Sequence, residues 1–296
     1  MRSTVGILAV HGAEDVKLAP GPRSTLLAGG GETISVQDWF LAPQQKPRAA
    51  VLLVHGLGEH IGRYQHVARY LNEWGFSVRG YDQYGHGESS GPRGGLPSDG
   101  RLLDDLVLLV ERTRADLGQD LPLVLLGHSM GGLVAARLVA LDLCPVQALV
   151  LSSPALDPGL SAFQKLLLAV LPKIAPNLRV GNGLNAELIS HDPATVAAYR
   201  ADPLVHDRIS GRLASFIANA GPATVAAATS WTVPTLLMYA GADKLVNPAG
   251  SRAFAAAAPV ALVRSHCFES LYHEIFNELD AKPVFAELMQ WLDVRF

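Results

Sequence analysis

The run Gly127-His128-Ser129-Met130-Gly131-Gly132 sets a serine among glycines, where the apolar run Leu121–Leu126 ends and a helical stretch with Leu133, Val134, Arg137 and Leu138 begins. Strand, tight turn and helix are the surroundings that G-x-S-x-G needs to present a nucleophile. So tight a turn holds Ser129 in strained backbone geometry with its Oγ in the open. A Cβ at 127 or 131 would collide with the adjoining strand or helix. The unpaired N–H groups at a helix start also favour an oxyanion beside them. Five-residue patterns arise by chance and Gly-Ser turns are common, so it is the flanking elements that favour the nucleophile.

Serine is a poor nucleophile near neutral pH and needs a base held by a carboxylate. In this kind of sheet the partners follow in the order Ser…Asp/Glu…His. After the apolar run Thr235–Tyr239 comes Ala240-Gly241-Ala242-Asp243, which puts a carboxylate at the carboxyl end of a strand. Aspartates also serve as turn residues and caps, but the position and order favour Asp243 as orienter. Two histidines compete for the base: His266, at the end of the expected strand Val260–Val263, and His273, in the loop beyond. His273 is favoured, because the loop has room to reach back to Ser129. His55, His86 and His128 neighbour glycine turns and read as structural hydrogen-bonders.

The oxyanion donors are expected at the Met130 N–H and in the loop His55-Gly56-Leu57-Gly58-Glu59-His60, where two glycines let the Leu57 N–H turn inward. A Gly-rich loop after a first core strand could instead cradle a phosphate. Neither G-x-G-x-x-G nor G-K-[ST] occurs, which argues against that.

These residues must be positioned by strands and helices in alternation. Ala49–Val54, Phe76–Tyr81, Leu121–Leu126, Val146–Leu151, Thr235–Tyr239 and Val260–Val263 read as strands, most of them apolar enough to be covered on both faces. Residues 33–41 read as a more exposed strand near an edge. Arg63–Trp74, Arg101–Asp116, Met130–Leu143, Ala249–Ala257 and Pro283–Leu292 read as helices. The alternation predicts an α/β fold, a mostly parallel central sheet flanked by helices. From 154 to 231 the rhythm breaks. Phe163, Leu166, Leu167, Val170, Leu171 and Ile174 recur at helical spacing, and Pro172, Pro176, Pro193 and Pro203 cut the segment into pieces. The expected organisation is an extension over 1–28, a core of 29–153 plus 232–296, and a helical cap insertion, 154–231, over the carboxyl edge where ligands bind. The alternative is a second packed layer with no role.

Composition excludes several classes. The chain has 296 residues, 24 Lys+Arg against 27 Asp+Glu and a net charge of −3, so no basic stripe points to nucleic acid. Cys144 and Cys267 lie far apart, without the spacing of a disulfide framework or a zinc site, and no histidine cluster suggests a metal. The longest apolar runs are six residues, against about 20 for a bilayer span. A cytoplasmic protein with no integral membrane segment is expected. Nothing in the pattern sets an oligomeric state.

From about residue 30 onward the chain resembles the α/β-hydrolase superfamily, and within it the monoacylglycerol lipase/lysophospholipase-like serine hydrolases. The resemblance rests on His55-Gly56-x-Gly58-Glu59-His60-x-Gly62-Arg63-Tyr64, Asp82-x-x-Gly85-His86-Gly87-x-Ser89-x-Gly91, Gly127-His128-Ser129-Met130-Gly131-Gly132, Gly241-x-Asp243, His273-Glu274 and Tyr199-x-x-Asp202-Pro203-Leu204. It implies an α/β-hydrolase fold with Ser129 as nucleophile, His273 as base, Asp243 as orienter, and Leu57 and Met130 as oxyanion donors. It also implies that Glu59, Arg63 and Tyr199 form a polar end of the pocket for a glycerol-like head group. The expected activity is hydrolysis of a small-molecule acyl ester, of monoacylglycerol or lysophospholipid type, without metal or organic cofactor. Cap residues 163–174 would line an acyl tunnel or touch a lipid surface transiently. The alternatives are an esterase of small non-lipid esters, an amidase or peptidase on the same triad, and a non-catalytic ligand-binding module.

Overall fold

A computed structural model describes residues 23–27, 31–157, 159 and 174–296 of the chain. Its centre is an eight-stranded sheet. In chain order the strands are β1 (Arg23–Leu27), β2 (Thr33–Trp39), β3 (Ala50–Val54), β4 (Ser77–Tyr81), β5 (Leu123–His128), β6 (Ala148–Ser152), β9 (Thr235–Ala240) and β10 (Val263–Phe268). They lie in the order β1-β2-β4-β3-β5-β6-β9-β10. β1 and β2 pair antiparallel and everything from β4 to β10 is parallel. This is the expected α/β-hydrolase architecture.

The helices are α1 (Gln65–Glu73), α2 (Arg101–Leu117), α3 (Ser129–Ala140), α4 (Pro193–Ala201), α5 (Gly211–Ala226), α6 (Pro248–Ala257) and α7 (Lys282–Asp293). Side chains alternate across a strand, so each central strand feeds two cores. In β3, Leu52 belongs to one core together with Leu106 of α2, Leu133 of α3 and Phe254 of α6. Its neighbours Val51 and Leu53 point the other way, towards Val67 and Leu71 of α1 and Leu288 and Trp291 of α7. Two-sided cover explains why these strands are uniformly apolar.

Several element bounds differ from the sequence expectation, each for a physical reason. β5 runs on through Gly127 and His128, because Gly127 pairs with Leu151 and His128 with Ser152 of β6; the turn therefore has no spare residue and Ser129 opens α3 directly. The last strand begins at Val263, not Val260. The Leu262 and Val263 N–H groups fold back onto the Pro259 carbonyl, and Val260 stands 92% exposed. Residues 23–27, inside the expected extension, instead pair with β2 as an edge strand.

The main sheet passes from β6 to its parallel neighbour β9 with residues 154–231 between them. This segment is not purely helical. β7 (Arg179–Gly181) and β8 (Arg208–Ser210) form a small antiparallel ribbon of their own beside α4 and α5. The helical run over 163–173 lies outside the described residues, and Ile174 is exposed. No described helix is long and apolar enough to cross a membrane.

Candidate active site

Ser129 has φ +53°, a left-handed backbone that serine rarely adopts. Its neighbours explain how the turn closes. A Cβ on Gly131 would lie 2.2 Å from the Val54 carbonyl oxygen and 2.4 Å from that of His55, and one on Gly127 would lie 2.5 Å from the Gly131 carbonyl oxygen. Those atoms are backbone and cannot rotate away. Gly131→Ala is therefore expected to cost about 3 kcal/mol or more of unfolding free energy, at the upper end of overpacking effects, read by urea denaturation. A loss below 1 kcal/mol would mean that the elbow is not held by this contact.

The loop after β10 carries His273 back over the sheet edge. Its Nε2 lies 2.9 Å from Ser129 Oγ and its Nδ1 2.7 Å from Asp243 Oδ2. Asp243 follows β9, and its other oxygen accepts the Leu245 and Val246 N–H groups, each at 2.9 Å. These three acceptances fix the carboxylate in orientation and charge. Burial opposes ionisation of Asp243, but the His273 charge, the His273 hydrogen bond and the two backbone donors hold its carboxyl below the usual carboxylate range. Burial likewise opposes a charged His273, yet Asp243 carries the imidazole above its ordinary 6.5. A serine hydroxyl, a poised imidazole and a fixed carboxylate in one hydrogen-bonded row can run nucleophilic acyl transfer.

The competing His266 sits within β10, half-exposed, stacked on Phe268 and facing Glu287 at 3.5 Å. It is not near the serine row. His55 and His86 are buried and bonded to backbone groups, His55 to Gly56 and Gln83 and His86 to Tyr84. His128 meets Ser152 Oγ at 3.1 Å and packs its ring 4.8 Å from that of His273. Burial and the neighbouring His273 charge push His128 down to about 4, so it stays neutral beside the row.

Above Ser129 opens a cavity of about 280 Å³, which Leu57, Met130 and His273 also border. The loop carrying Leu57 passes directly over the nucleophile, since a Cβ on Gly56 would lie 3.2 Å from Ser129 Cβ. Glu59 shapes that loop: its Oε1 accepts the Gly56 N–H at 2.6 Å and the Tyr64 hydroxyl at 2.7 Å.

The expected head-group residues come together around one guanidinium. Arg63 reaches Glu59 at 2.5 Å and grips both oxygens of Glu274 at 2.7 Å, with its guanidinium 4.7 Å from the Tyr199 ring centroid. None of Glu59, Arg63 or Tyr199 borders the described cavity. The two buried carboxylates thus share one guanidinium through charge-assisted hydrogen bonds. Burial resists the Glu59 charge, and Arg63 overrides it, holding that carboxyl well below its usual range. Sequence reasoning gave Glu274 no separate role. Its partner lies 211 positions away, and no local pattern signals such a pair. Lys244, which borders the cavity, was likewise given no role, although its place directly after Asp243 was a usable signal.

A family model described as serine aminopeptidase, S33 matches residues 45–280. Over 269 residues the chain is similar to the monoacylglycerol lipase of Mycolicibacterium smegmatis, at 37% identity, covering 89% of this chain and 94% of that protein. An abhydrolase domain-containing protein of Dictyostelium discoideum is 34% identical over 92% of this chain, which spans only 29% of that longer protein. The crystal structure of the Paleococcus ferrophilus monoacylglycerol lipase superposes with a TM-score of 0.81 at 33% identity, over 89% of this chain and 99% of that one.

Proposed function

Because this chain belongs to the serine aminopeptidase S33 family, within the α/β-hydrolase superfamily, we propose that it cleaves monoacylglycerol-type carboxylic esters through an acyl-enzyme on Ser129. It is a monoacylglycerol lipase-like ester hydrolase. The observation that carries the mechanism is the row Ser129 Oγ–His273 Nε2–Asp243 Oδ2, with spacings of 2.9 and 2.7 Å, at the floor of a cavity.

In the first half, His273 takes the Ser129 proton as Oγ attacks the ester carbonyl. The tetrahedral oxyanion is received by the Leu57 and Met130 N–H groups, each worth roughly 2.7–4 kcal/mol of barrier. His273 then protonates the departing alcohol. In the second half the same imidazole activates water, which hydrolyses the acyl-enzyme. Residues 154–231 act as the cap over this site. Ile209 and Ile217, from that segment, border the cavity and give it an apolar side suited to an acyl chain.

Cleavage of an amino-terminal peptide bond fits less well. An aminopeptidase needs a carboxylate to receive the substrate's ammonium group. The described cavity lining carries no Asp or Glu and does carry Lys244, while Glu59 and Glu274 are held by Arg63. Transient contact with a lipid surface belongs to the same proposal, supported by the exposed apolar Leu178, Val180 and Leu184, the last of which also borders the cavity. Residence in the cytoplasm is supported by the two free cysteines, Cys144 and Cys267.

The test is a panel of 2-monoacylglycerol, lysophospholipid and aminoacyl-anilide, together with mass mapping of a fluorophosphonate adduct. The adduct is expected on Ser129, and kcat/KM for the monoacylglycerol is expected to exceed that for the anilide by about a hundredfold, the ~3 kcal/mol that a mismatched polar group costs. A preference for the anilide rejects the lipase reading. Labelling elsewhere rejects the nucleophile.

A further inference from the structure

Two loops must keep their spacing for this site to work, the one after β3 that carries Leu57 and the one after β10 that carries His273. The segment around α4 grips both. On its amino-terminal side the Ile189 carbonyl accepts the Glu274 N–H at 2.8 Å, and His191 Nδ1 lies 2.8 Å from Glu278 Oε1. On its carboxyl-terminal side the His206 N–H donates to the Gly58 carbonyl at 2.9 Å, and Asp202 Oδ2 lies 2.8 Å from His60 Nε2. Between the two, Tyr199 of α4 lies against Arg63, which itself ties Glu59 of one loop to Glu274 of the other.

The His60–Asp202 contact has a defined polarity. His60 Nδ1 accepts the Gly62 N–H at 3.2 Å, so the ring proton sits on Nε2 and is donated to Asp202. Asp202 uses its other oxygen to accept the Leu204 N–H at 2.8 Å. Both of its acceptors are thus committed, one to the cap and one to the loop of Leu57. The fit at the next turn is equally close. Gly58 has φ +79°, and a Cβ there would lie 2.5 Å from the His206 carbonyl oxygen.

We propose that α4 is a strut between the two catalytic loops and that Asp202 is a positioning residue which, through His60, holds the turn at Leu57 and Gly58 where the Leu57 N–H meets the oxyanion. This deepens the reading of Ser129 as nucleophile and rests on it. A segment that served only to cover an acyl chain would need contacts to substrate. This one makes backbone hydrogen bonds to the loops on either side of the serine.

The test compares wild type with Asp202→Ala on p-nitrophenyl acetate and p-nitrophenyl octanoate, with rates expressed per fluorophosphonate-titratable site so that only folded molecules count. The acetate is too short to need a cover. A displaced oxyanion donor lowers kcat by about tenfold to a hundredfold on both esters, with KM within about twofold. The fluorophosphonate labelling rate, which needs only the nucleophile and the oxyanion donors, falls by a similar factor. Asp202→Asn retains one of the two acceptors; it gives a smaller loss of the same kind, and stands in should the alanine variant fail to fold. A loss confined to KM, or to the octanoate alone, overturns the proposal, as does a fall in melting temperature with kcat and labelling unchanged. A wild type that labels but turns over no ester rejects the proposed function while the labelling ratio still decides the strut. A wild type that does neither overturns both.

Discussion

Ser129→Ala is expected to lower kcat on a p-nitrophenyl acyl ester by about 10⁵–10⁶-fold, the size of loss seen when the nucleophile of such a row is deleted. The oxyanion donors and the cavity remain in the variant, so a residual rate of about 10³–10⁴ over water is expected. The fold should persist. Among the described residues the Ser129 side chain bonds only to His273, and the elbow is closed by glycine contacts with backbone that alanine at 129 does not touch. Circular dichroism melting beside the ester assay separates the two effects. Turnover above about 1% of wild type, with melting unchanged, would remove Ser129 from the mechanism.

The second large effect is expected at Asp243, in rate and in pH dependence together. A protonated His273 cannot accept the serine proton, so kcat/KM rises as pH climbs through the pKa of that imidazole. Burial alone would set this pKa low, and Asp243 raises it above 6.5. The acid limb of the wild-type profile should therefore have its midpoint above 6.5. In Asp243→Asn the carboxylate's pull is gone while the burial stays, so the limb moves to lower pH. The plateau is expected to drop about 10⁴-fold, because an amide facing Nδ1 favours the wrong tautomer. A profile whose limb does not move would show that the titrating group is another residue. His128 is the obvious competitor, but at about 4 it would give a limb far below the one expected.

The two expectations differ in how much of the molecule they draw on. The elbow at Ser129 is a local object. Its strand, its glycines and its helix lie within one continuous stretch, and the steric argument for Gly127 and Gly131 needs only covalent geometry and a tight turn. The order serine, aspartate, histidine is the one this hydrolase type uses, and Asp243 and His273 were legible because each follows an apolar strand run at the carboxyl edge. That much, with the α/β class itself, could be read from residue types and their spacing, because apolar runs of β-branched residues and helical periodicity are short-range signals.

What only the tertiary structure decided lies in pairs distant along the chain. Arg63 and Glu274 are 211 positions apart, and His60 and Asp202 are 142 apart. Neither pairing leaves a periodicity, and a buried arginine between two carboxylates reads in sequence like any polar loop residue. Glu59, Arg63 and Tyr199 read as pocket residues from the resemblance alone; that Arg63 pairs with both Glu59 and Glu274 and lies against the Tyr199 ring is visible only in the folded chain. Strand bounds moved for a similar reason. β10 starts where pairing with β9 begins, at Val263 opposite Thr235, not where the apolar run begins. β1 belongs to the sheet because β2 offers it an edge. Hydrogen-bond partners across a sheet or between loops are chosen by where the backbone arrives in space, and single-chain patterning carries information only about faces, caps and turns.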